Sequence, residues 1–215
     1  MNEIEDQIKW NEYLIAGTEV LKNKLDITDK DQLKETEKII VRKKLAYLYL
    51  NPIEGKFNKE HLLKVHEFIF NEIYPFAGKL RTCTIQKDVH VFLEPENIQD
   101  SLNDTLNRMN EEFDNNDIYS IQDFAFRLGK YYYELIYIHP FREGNGRSIR
   151  TFIRDFVVEK SKNKSCGLLD LDYTKLDKNN LILGTALRYI YPSHVEIEFM
   201  KGLIPIEKKI TNNKK

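Results

Sequence analysis

The chain has 215 residues, with 33 basic and 34 acidic side chains and a formal net charge of −1 at pH 7. This balance gives no overall field that would attract nucleic acid or an anionic membrane surface. The length suits one well-buried domain, and no stretch rich in Pro, Gly or Ser divides it. We therefore expect a single domain over residues 1–207, with its core at about 33–190, and a disordered polar tail at residues 208–215.

Signals for targeting, disulfides and zinc are weak in this sequence. The first residues are acidic and polar, and no apolar run approaches the roughly 20 residues that a membrane-spanning helix needs. We therefore expect a soluble, cytoplasmic protein. Cys83 and Cys166 lie far apart and in no CxxC or Cys/His ligand spacing, which favours reduced structural thiols. The five histidines form no recognised zinc pattern.

The first half of the chain predicts two helices with clear ends. Residues 33–50 are charged and leucine-rich, with apolar residues three and four positions apart, and the pattern stops at Asn51. Asn58 is the predicted N-cap of the next helix. The sequence YPFAG at residues 74–78 ends that helix. Its apolar face carries Leu62, Val65, Ile69 and Ile73.

The middle of the chain predicts a short β-hairpin and a third helix. Over residues 80–93, β-branched and aromatic residues flank a polar centre at residues 86–88, which indicates a hairpin. Because an isolated hairpin is only marginally stable, we expect it to pack on the helices. Helical spacing resumes over residues 97–113 and ends at the polar residues 115–117.

Two further helices bracket a short loop. Residues 121–136 carry apolar side chains at helical spacing, and although residues 131–138 alone could form a strand, length and period favour a helix. After the loop, residues 149–157 carry an apolar stripe. The cations expected on another face of that helix are Arg147, Arg150 and Arg154. Residues 172–190 predict one or two helices, and residues 194–203 predict a last one.

The loop between these two helices, HPFREGNGR at residues 139–147, contains residue types suited to a phosphate site. It ends at a predicted helix start, where unpaired backbone N–H groups and the helix dipole favour anions. Gly144 and Gly146 lack Cβ atoms, so their backbone can approach a ligand closely and offer N–H groups as an anion cradle. Asn145 can donate a side-chain hydrogen bond into the same cradle.

Charged and titratable side chains accompany this cradle. Arg147 and Arg150, about one helical turn apart, can bind the oxygens of distal phosphates. Glu143 is placed to hold Mg²⁺, which usually binds through one or two carboxylates plus substrate phosphates. His139 is the side chain of the loop whose proton affinity suits a general base near neutral pH. These residue types fit phosphoryl or nucleotidyl transfer.

Each of these residues also has a purely structural interpretation. A histidine after an apolar helix is more often a packed or capping residue, and Glu143 could serve only the helix N-terminus. Arg150 and Arg154 could be exposed ion-pair partners. In either case, we expect Phe141 to fix the loop to the core.

Two known phosphate fingerprints are excluded, because no P-loop pattern occurs and Ile149 stands where a dinucleotide fingerprint needs its third glycine.

The string HPFREGNGRSIR at residues 139–150 resembles the signature of Fic-domain proteins, HxFx(D/E)GNGRxxR, at every specified position. Upstream, residues 74–81 are similar to the YP(W/F)AGxxR segment of that family, and residues 20–25 and 51–55 also have counterparts there. The resemblance covers roughly residues 10–200. It implies an all-α fold, with a Fic-type helical domain and a short β-hairpin flap next to the active-site loop.

The resemblance also implies an activity, that of a protein adenylyltransferase. Such an enzyme transfers AMP from ATP, with Mg²⁺, to a Tyr, Thr or Ser hydroxyl of a target protein. His139 would deprotonate that hydroxyl, and Glu143 would hold the metal. The residues implied at the α-phosphate are Gly144, Asn145 and Gly146. Those implied at the β- and γ-phosphates are Arg147 and Arg150.

The hairpin, at residues 82–92, would be the flap that aligns a segment of the target protein as an added strand. Its candidate docking residues are Thr82, Thr84, Ile85, Lys87 and His90, and the last two are included by position alone. Because Gly146 is retained, nucleotidyl transfer is favoured over the phosphorylation made by family variants with Lys at that position. Phosphocholine transfer, UMP transfer and removal of AMP stay open as alternatives, as does a nucleotide- or antitoxin-binding module without transferase activity.

The regulation of such an enzyme can also be considered from the sequence. Many Fic-domain proteins carry an inhibitory helix with the pattern (S/T)xxxE(G/N), whose glutamate pairs with the second arginine of the signature. No Ser or Thr of this chain has Glu four residues later. We therefore favour a separate small antitoxin that supplies a glutamate to Arg150, while an unregulated enzyme and a diverged inhibitory segment are the alternatives. Neither nucleic acid nor a membrane is expected as a partner.

Overall fold

The structure is a computed structural model, which describes residues 3–87, 90–186 and 193–206 of the chain. Within these ranges α-helices dominate, as the sequence predicts, and two small antiparallel sheets accompany them. The helices are α1 (Glu3–Glu12), α2 (Lys30–Leu50), α3 (Lys59–Phe70), α4 (Ile98–Asn115), α5 (Ile121–Ile138), α6 (Asn145–Ser161), α7 (Lys178–Ala186) and α8 (His194–Gly202). The strands are β1 (Gln86–Lys87), β2 (His90–Val91), β3 (Leu169–Leu171) and β4 (Leu203–Pro205). The predicted tail lies outside the described residues, as does Ile190, the predicted end of the helix before α8.

Side-chain caps fix the starts of the two helices that precede the hairpin. The Asp29 carboxylate accepts a hydrogen bond from the Gln32 N–H at 2.7 Å, so α2 begins three residues before the predicted position. The Asn58 side chain accepts from the His61 N–H at 3.0 Å, which confirms it as the N-cap of α3. In both cases the cap satisfies a backbone donor that has no partner inside the helix.

The chain forms two compact units. The first comprises Met1–Asn110 and Glu134–Ile153. Its core includes the inner faces of α2 and α3 and the segment that follows α3. Leu62, Val65 and Ile69 of the predicted apolar face are buried in α3, whereas Ile73 is buried beyond the helix, which ends at Phe70 and not at residues 74–78. The buried residues of this cluster are Val20, Leu33, Val41, Leu48, Val65, Ile69, Phe70, Ile73, Tyr74 and Phe76.

The second unit comprises Glu111–Tyr133 and Arg154–Lys215. Its core contains Phe113, whose ring lies edge-on to the rings of Phe124 and Phe156, each at a centroid distance of 5.0 Å. A sheet that the sequence did not predict pairs β3 with β4. Both strands have only three residues, too few for an alternating pattern to stand out, and β4 directly follows α8.

The predicted hairpin is confirmed, but its ladder is short. β1 and β2 pair in antiparallel fashion, with Lys87 opposite His90, and the turn residues Asp88 and Val89 lie outside the described part of the chain. One further hydrogen bond, from the Phe92 N–H to the Ile85 carbonyl at 3.1 Å, extends the pairing towards its base. No helix within the described ranges combines the length and apolar content needed to cross a membrane.

Candidate active site

His139 follows the last residue of α5 and has a left-handed backbone, with φ at 48°. Histidine is one of the few residue types other than glycine that are enriched in this conformation. Its Nδ1 atom lies 3.2 Å from the Ile136 carbonyl oxygen, which can only accept a hydrogen bond. In its neutral form the ring therefore carries its proton on Nδ1, so that Nε2 is the basic nitrogen. The Phe92 ring stacks on the imidazole at a centroid distance of 3.7 Å and an interplanar angle of 13°.

The loop after His139 is closed by Asn145, the first residue of α6. Its Oδ1 accepts from the Phe141 N–H at 2.8 Å, and its Nδ2 donates to the Phe141 carbonyl at 2.6 Å. The sequence suggested that this side chain donates to a bound phosphate, whereas the structure uses both of its polar atoms to hold the loop. Phe141 is fully buried, which confirms its predicted function as an apolar anchor.

The two glycines of the loop lie in different surroundings. Gly144 has φ at 82°, and a Cβ added there would lie 2.3 Å from the Phe70 ring, so neither its backbone nor its neighbours tolerate a side chain. Its N–H donates to Oε1 of Glu143 at 2.9 Å, so in this structure that amide serves the loop itself. Gly146 lies in the first turn of α6, and an added Cβ would lie 3.0 Å from Nη1 of Arg150. The structure thus brings the second arginine of the signature to the start of this helix.

Arg147 lies between two carboxylates. Its Nη1 donates to Oε1 of Glu37, and its Nη2 donates to Oε1 of Glu143 at 3.0 Å. The guanidinium also lies over the Phe70 ring, 4.8 Å from the ring centroid. The sequence did not single out Glu37, which is 110 residues from Arg147. No local pattern could have indicated their pairing.

His66 of α3 is a second site residue that sequence reasoning missed. Its Nδ1 accepts from the Gly78 N–H at 2.8 Å, and its Nε2 lies 2.9 Å from the Glu143 carbonyl oxygen, to which it donates. Burial lowers the pKa of His66 to about 4, despite the hydrogen bond to Glu143, so the ring stays neutral and keeps this tautomer. His66 also stacks on Phe141, with centroids 3.8 Å apart. The sequence feature that could have indicated His66 is the position of a histidine on the apolar face of a predicted helix.

Arg81 joins the base of the hairpin to the end of α5. Its Nε donates to the His139 carbonyl at 2.8 Å, and its backbone N–H donates to the Pro140 carbonyl at 2.9 Å. The same guanidinium donates to the backbone carbonyl of Cys83 at 2.7 Å and to that of Leu93. Burial lowers the pKa of this guanidinium. Arg81 thus fixes the hairpin beside the backbone of the candidate base.

The predicted docking residues of the hairpin have different surroundings. The Thr82 N–H donates to the Tyr13 hydroxyl at 3.1 Å, and the Thr84 N–H donates to the Asp6 carboxylate of α1 at 2.7 Å. The side chain of Ile85 is buried, so it faces the protein and not the solvent. Lys87 and His90 occupy opposite strands, but their side chains are not among the described parts of the chain.

Glu143 is the carboxylate of the loop that could serve a metal ion. Its side chain is 40% exposed, and Oε1 accepts hydrogen bonds from the Gly144 N–H and from Arg147, so among the described contacts Oε2 is the candidate ligand atom. Among the described residues, no group of three or more His, Cys, Asp or Glu side chains could hold a metal ion. Mg²⁺ fits this arrangement, because it commonly binds one carboxylate together with phosphate oxygens and water.

Comparison with known proteins gives a family assignment. Residues 56–157 match the Fic/DOC family. The chain is 34% identical over 147 residues to the protein adenylyltransferase VbhT of Bartonella schoenbuchensis, and this alignment covers 68% of the chain but only 30% of that protein. It is 26% identical over 148 residues to the probable protein adenylyltransferase Fic of Escherichia coli, and this alignment covers 72% of that protein.

Solved structures show the same fold. The effector protein BepC of Bartonella tribocorum, solved with bound AMPPNP, is 22% identical and superposes with a TM-score of 0.79 over 92% of this chain and 98% of that one. The Fic domain of a Bartonella quintana effector, solved with bound ADP, gives a TM-score of 0.80 at 22% identity over 92% and 96% of the two chains. The complete signature, the helical fold and these similarities identify residues 56–157 as a domain of the Fic/DOC family.

Proposed function

We propose that this chain is a protein adenylyltransferase that transfers AMP from ATP to a Tyr, Thr or Ser hydroxyl of a target protein. The observation that carries the proposal is the position of the His139 ring in the signature loop, with Nδ1 3.2 Å from the Ile136 carbonyl, which makes Nε2 the basic nitrogen of the neutral ring. The names of the VbhT and Escherichia coli relatives support the same reaction class.

In the proposed reaction, Nε2 of His139 takes the proton of the target hydroxyl while the hydroxyl oxygen attacks the α-phosphorus of ATP. A new O–P bond forms, and the bond from the α-phosphorus to the bridging oxygen of the β-phosphate breaks. Pyrophosphate leaves with the electron pair of that bond. The protein contributes orientation and charge stabilisation, which dominate catalysis of such transfers.

The start of α6 supplies the proposed phosphate contacts. We assign the α-phosphate to the loop of Gly144, Asn145 and Gly146, with the contacts made by backbone N–H groups at the start of α6 rather than by the Asn145 side chain or by the Gly144 N–H, which donates to Glu143. Arg147 and Arg150 would bind the β- and γ-phosphates, where planar guanidinium groups suit bidentate contacts. Glu143 would hold Mg²⁺, which neutralises phosphate charge when bound.

Two partners follow from this proposal. One is a target protein, which the hairpin at residues 82–92 would align by strand addition. The other is a small antitoxin, separate from this chain, that supplies a glutamate to Arg150 and so blocks the phosphate site. We further propose that the protein acts in the cytoplasm, where ATP and Mg²⁺ are abundant, as the toxin of a toxin–antitoxin pair.

Labelled ATP tests the reaction class. Purified protein is added to a host lysate with ATP labelled at the α-phosphate in one sample and at the γ-phosphate in another. The proposal expects a protein band that gains the α-label and not the γ-label. A band that gains the γ-label would indicate phosphorylation, and saturable ATP binding without any labelled protein would indicate a nucleotide-binding module. Either result would reject the proposed function.

A further inference from the structure

Glu37 is a buried acid in the middle of α2, far in sequence from the signature loop. Its side chain is 12% exposed, against 40% for that of Glu143. A buried carboxylate is costly unless it is paired and hydrogen-bonded. Both oxygens of Glu37 have such a partner, because Oε1 accepts from Nη1 of Arg147 and Oε2 accepts from the Tyr74 hydroxyl.

Tyr74 fixes the orientation of this carboxylate. Its ring stacks on Phe76 at a centroid distance of 4.8 Å and lies in the core of the first unit, so the hydroxyl is held in one place. Burial and the negative charge of Glu37 raise the pKa of Tyr74, so the hydroxyl keeps its proton and acts as the donor. The carboxylate of Glu37 is therefore held from one side and presents Oε1 to Arg147.

The two carboxylates on Arg147 differ in how readily they can leave it. Glu143 is more exposed, and its carboxylate is also the one proposed to bind the metal ion. Glu37 is more buried and is already held by Tyr74. Of the two carboxylates, Glu37 is thus the one that the fold holds more firmly against Arg147.

We propose that Glu37 is a positioning residue, which orients the Arg147 guanidinium so that its remaining N–H groups face the β- and γ-phosphates of ATP. This inference rests on the proposed assignment of Arg147 to those phosphates. A guanidinium has five N–H donors, so a hydrogen bond to Glu37 leaves enough of them for a bidentate phosphate contact. Holding a flexible side chain in its binding geometry beforehand strengthens binding by lowering the ordering cost.

Equilibrium binding separates this function from a merely structural one. The Glu37→Gln variant keeps the shape of the side chain but loses the charge that holds Arg147. We expect its affinity for ATP to fall by about tenfold, which is the effect of one charge-assisted contact. Its affinity for AMP should stay within about twofold of the wild type, because AMP lacks the phosphates that Arg147 would bind.

Two comparisons complete the test. In an Arg147→Ala background, Glu37→Gln should have no further effect on ATP binding, because the residue on which it acts is gone. Glu198→Gln, which alters a buried carboxylate in the second unit that accepts from the Asp177 N–H, should lower the melting temperature without changing the ratio of ATP to AMP affinity. If Glu37→Gln does not fold, the Tyr74→Phe variant is measured instead. We expect it to lose affinity for ATP and not for AMP, by a smaller factor than Glu37→Gln.

Equal losses for ATP and AMP, or a full loss of ATP affinity by Glu37→Gln in the Arg147→Ala background, would overturn the inference. An unchanged ATP affinity in a folded Glu37→Gln variant would do the same. None of these measurements requires AMP transfer. If the wild type labels no target but Glu37→Gln still lowers the affinity for ATP and not for AMP, the inference holds and only the proposed function is rejected.

Discussion

The side chain of Asn145 and the backbone of Phe141 form a two-point contact that closes the signature loop. The Phe141 N–H donates to Oδ1 at 2.8 Å, and Nδ2 donates to the Phe141 carbonyl at 2.6 Å. Because Phe141 is buried, water cannot replace either bond. The asparagine of the signature thus has a structural duty that does not depend on any ligand.

Replacement of Asn145 by Ala should therefore destabilise the fold as well as the site. Two buried backbone groups would lose their partners, which costs about 2–4 kcal/mol in the free energy of unfolding. Urea unfolding measures this loss. Asn116→Ala is the matched control, because Asn116 is exposed and donates a similar bond to Glu112. A loss for Asn145→Ala no larger than that of the control would contradict this interpretation.

Gly144→Ala should be more harmful than its backbone conformation alone predicts. The left-handed conformation costs about 1–2 kcal/mol for a residue with a Cβ, and overpacking against the Phe70 ring adds about 1–3 kcal/mol. Gly17 has a similar φ of 75° but no atom within 4 Å of an added Cβ, so Gly17→Ala shows the first contribution alone. Thermal unfolding of both variants checks the difference. Equal shifts in melting temperature would show that Phe70 yields to the new methyl group.

Trp10 is the only tryptophan of the chain and should report on the signature loop. The Arg142 guanidinium lies 4.0 Å from the centroid of its ring. We expect Arg142→Ala to shift the tryptophan emission to longer wavelength, because the ring gains contact with water. Arg42→Ala on the exposed face of α2 should leave the emission unchanged. An Arg142→Ala spectrum identical to that of the wild type would show that α1 does not pack on the loop in solution.

Ionisation of Asp155 should make the fold less stable as the pH rises from about 4 to 6. Burial raises the pKa of Asp155 to about 6, partly offset by Arg154, and its Oδ2 has no hydrogen-bond partner among the described residues. Between about pH 4 and 6 the folded chain holds a proton that the unfolded chain releases, so the free energy of unfolding falls as the pH rises. Asp155→Asn stays neutral and avoids this loss.

The pH dependence of Asp155→Asn is therefore the quantity to measure. At pH 8 we expect the variant to be more stable than the wild type by up to about 3 kcal/mol in urea unfolding, and at pH 4 we expect little difference. Arg154 keeps its ion pair with Asp170 at 2.8 Å in both proteins. A stability difference of the same size at both pH values would mean that ionisation of Asp155 is not its cause.

The helices and the signature loop could be predicted because their signals are local. Apolar spacing and capping residues such as Asn58 lie within a few residues of the helix that they define. The short helix α1 was not predicted, because its ten residues contain only three large apolar side chains, Ile4, Ile8 and Trp10, and none of its residues is buried. The three-residue strands β3 and β4 were missed because they carry too little pattern to be distinguished from loops.

The residues that hold the signature loop in place could not be predicted, because they come from distant parts of the chain. His66 lies 77 residues from Glu143, whose carbonyl it holds. Glu37 lies 110 residues from Arg147. A single sequence does not show which buried polar residue meets which loop. The sequence placed Asn145 in the signature loop, but the residue type alone did not distinguish a phosphate donor from a clamp on the loop.

One measurement tests the central claim most directly, which is that His139 serves as the base for AMP transfer. The wild type and His139→Ala are incubated in the same lysate with α-labelled ATP, after equilibrium binding has shown that both proteins still bind ATP. We expect the wild type to label a target protein. The labelling rate of the variant should be lower by at least about a hundredfold, which is typical for removal of a general base. Equal labelling by the two proteins would contradict the account.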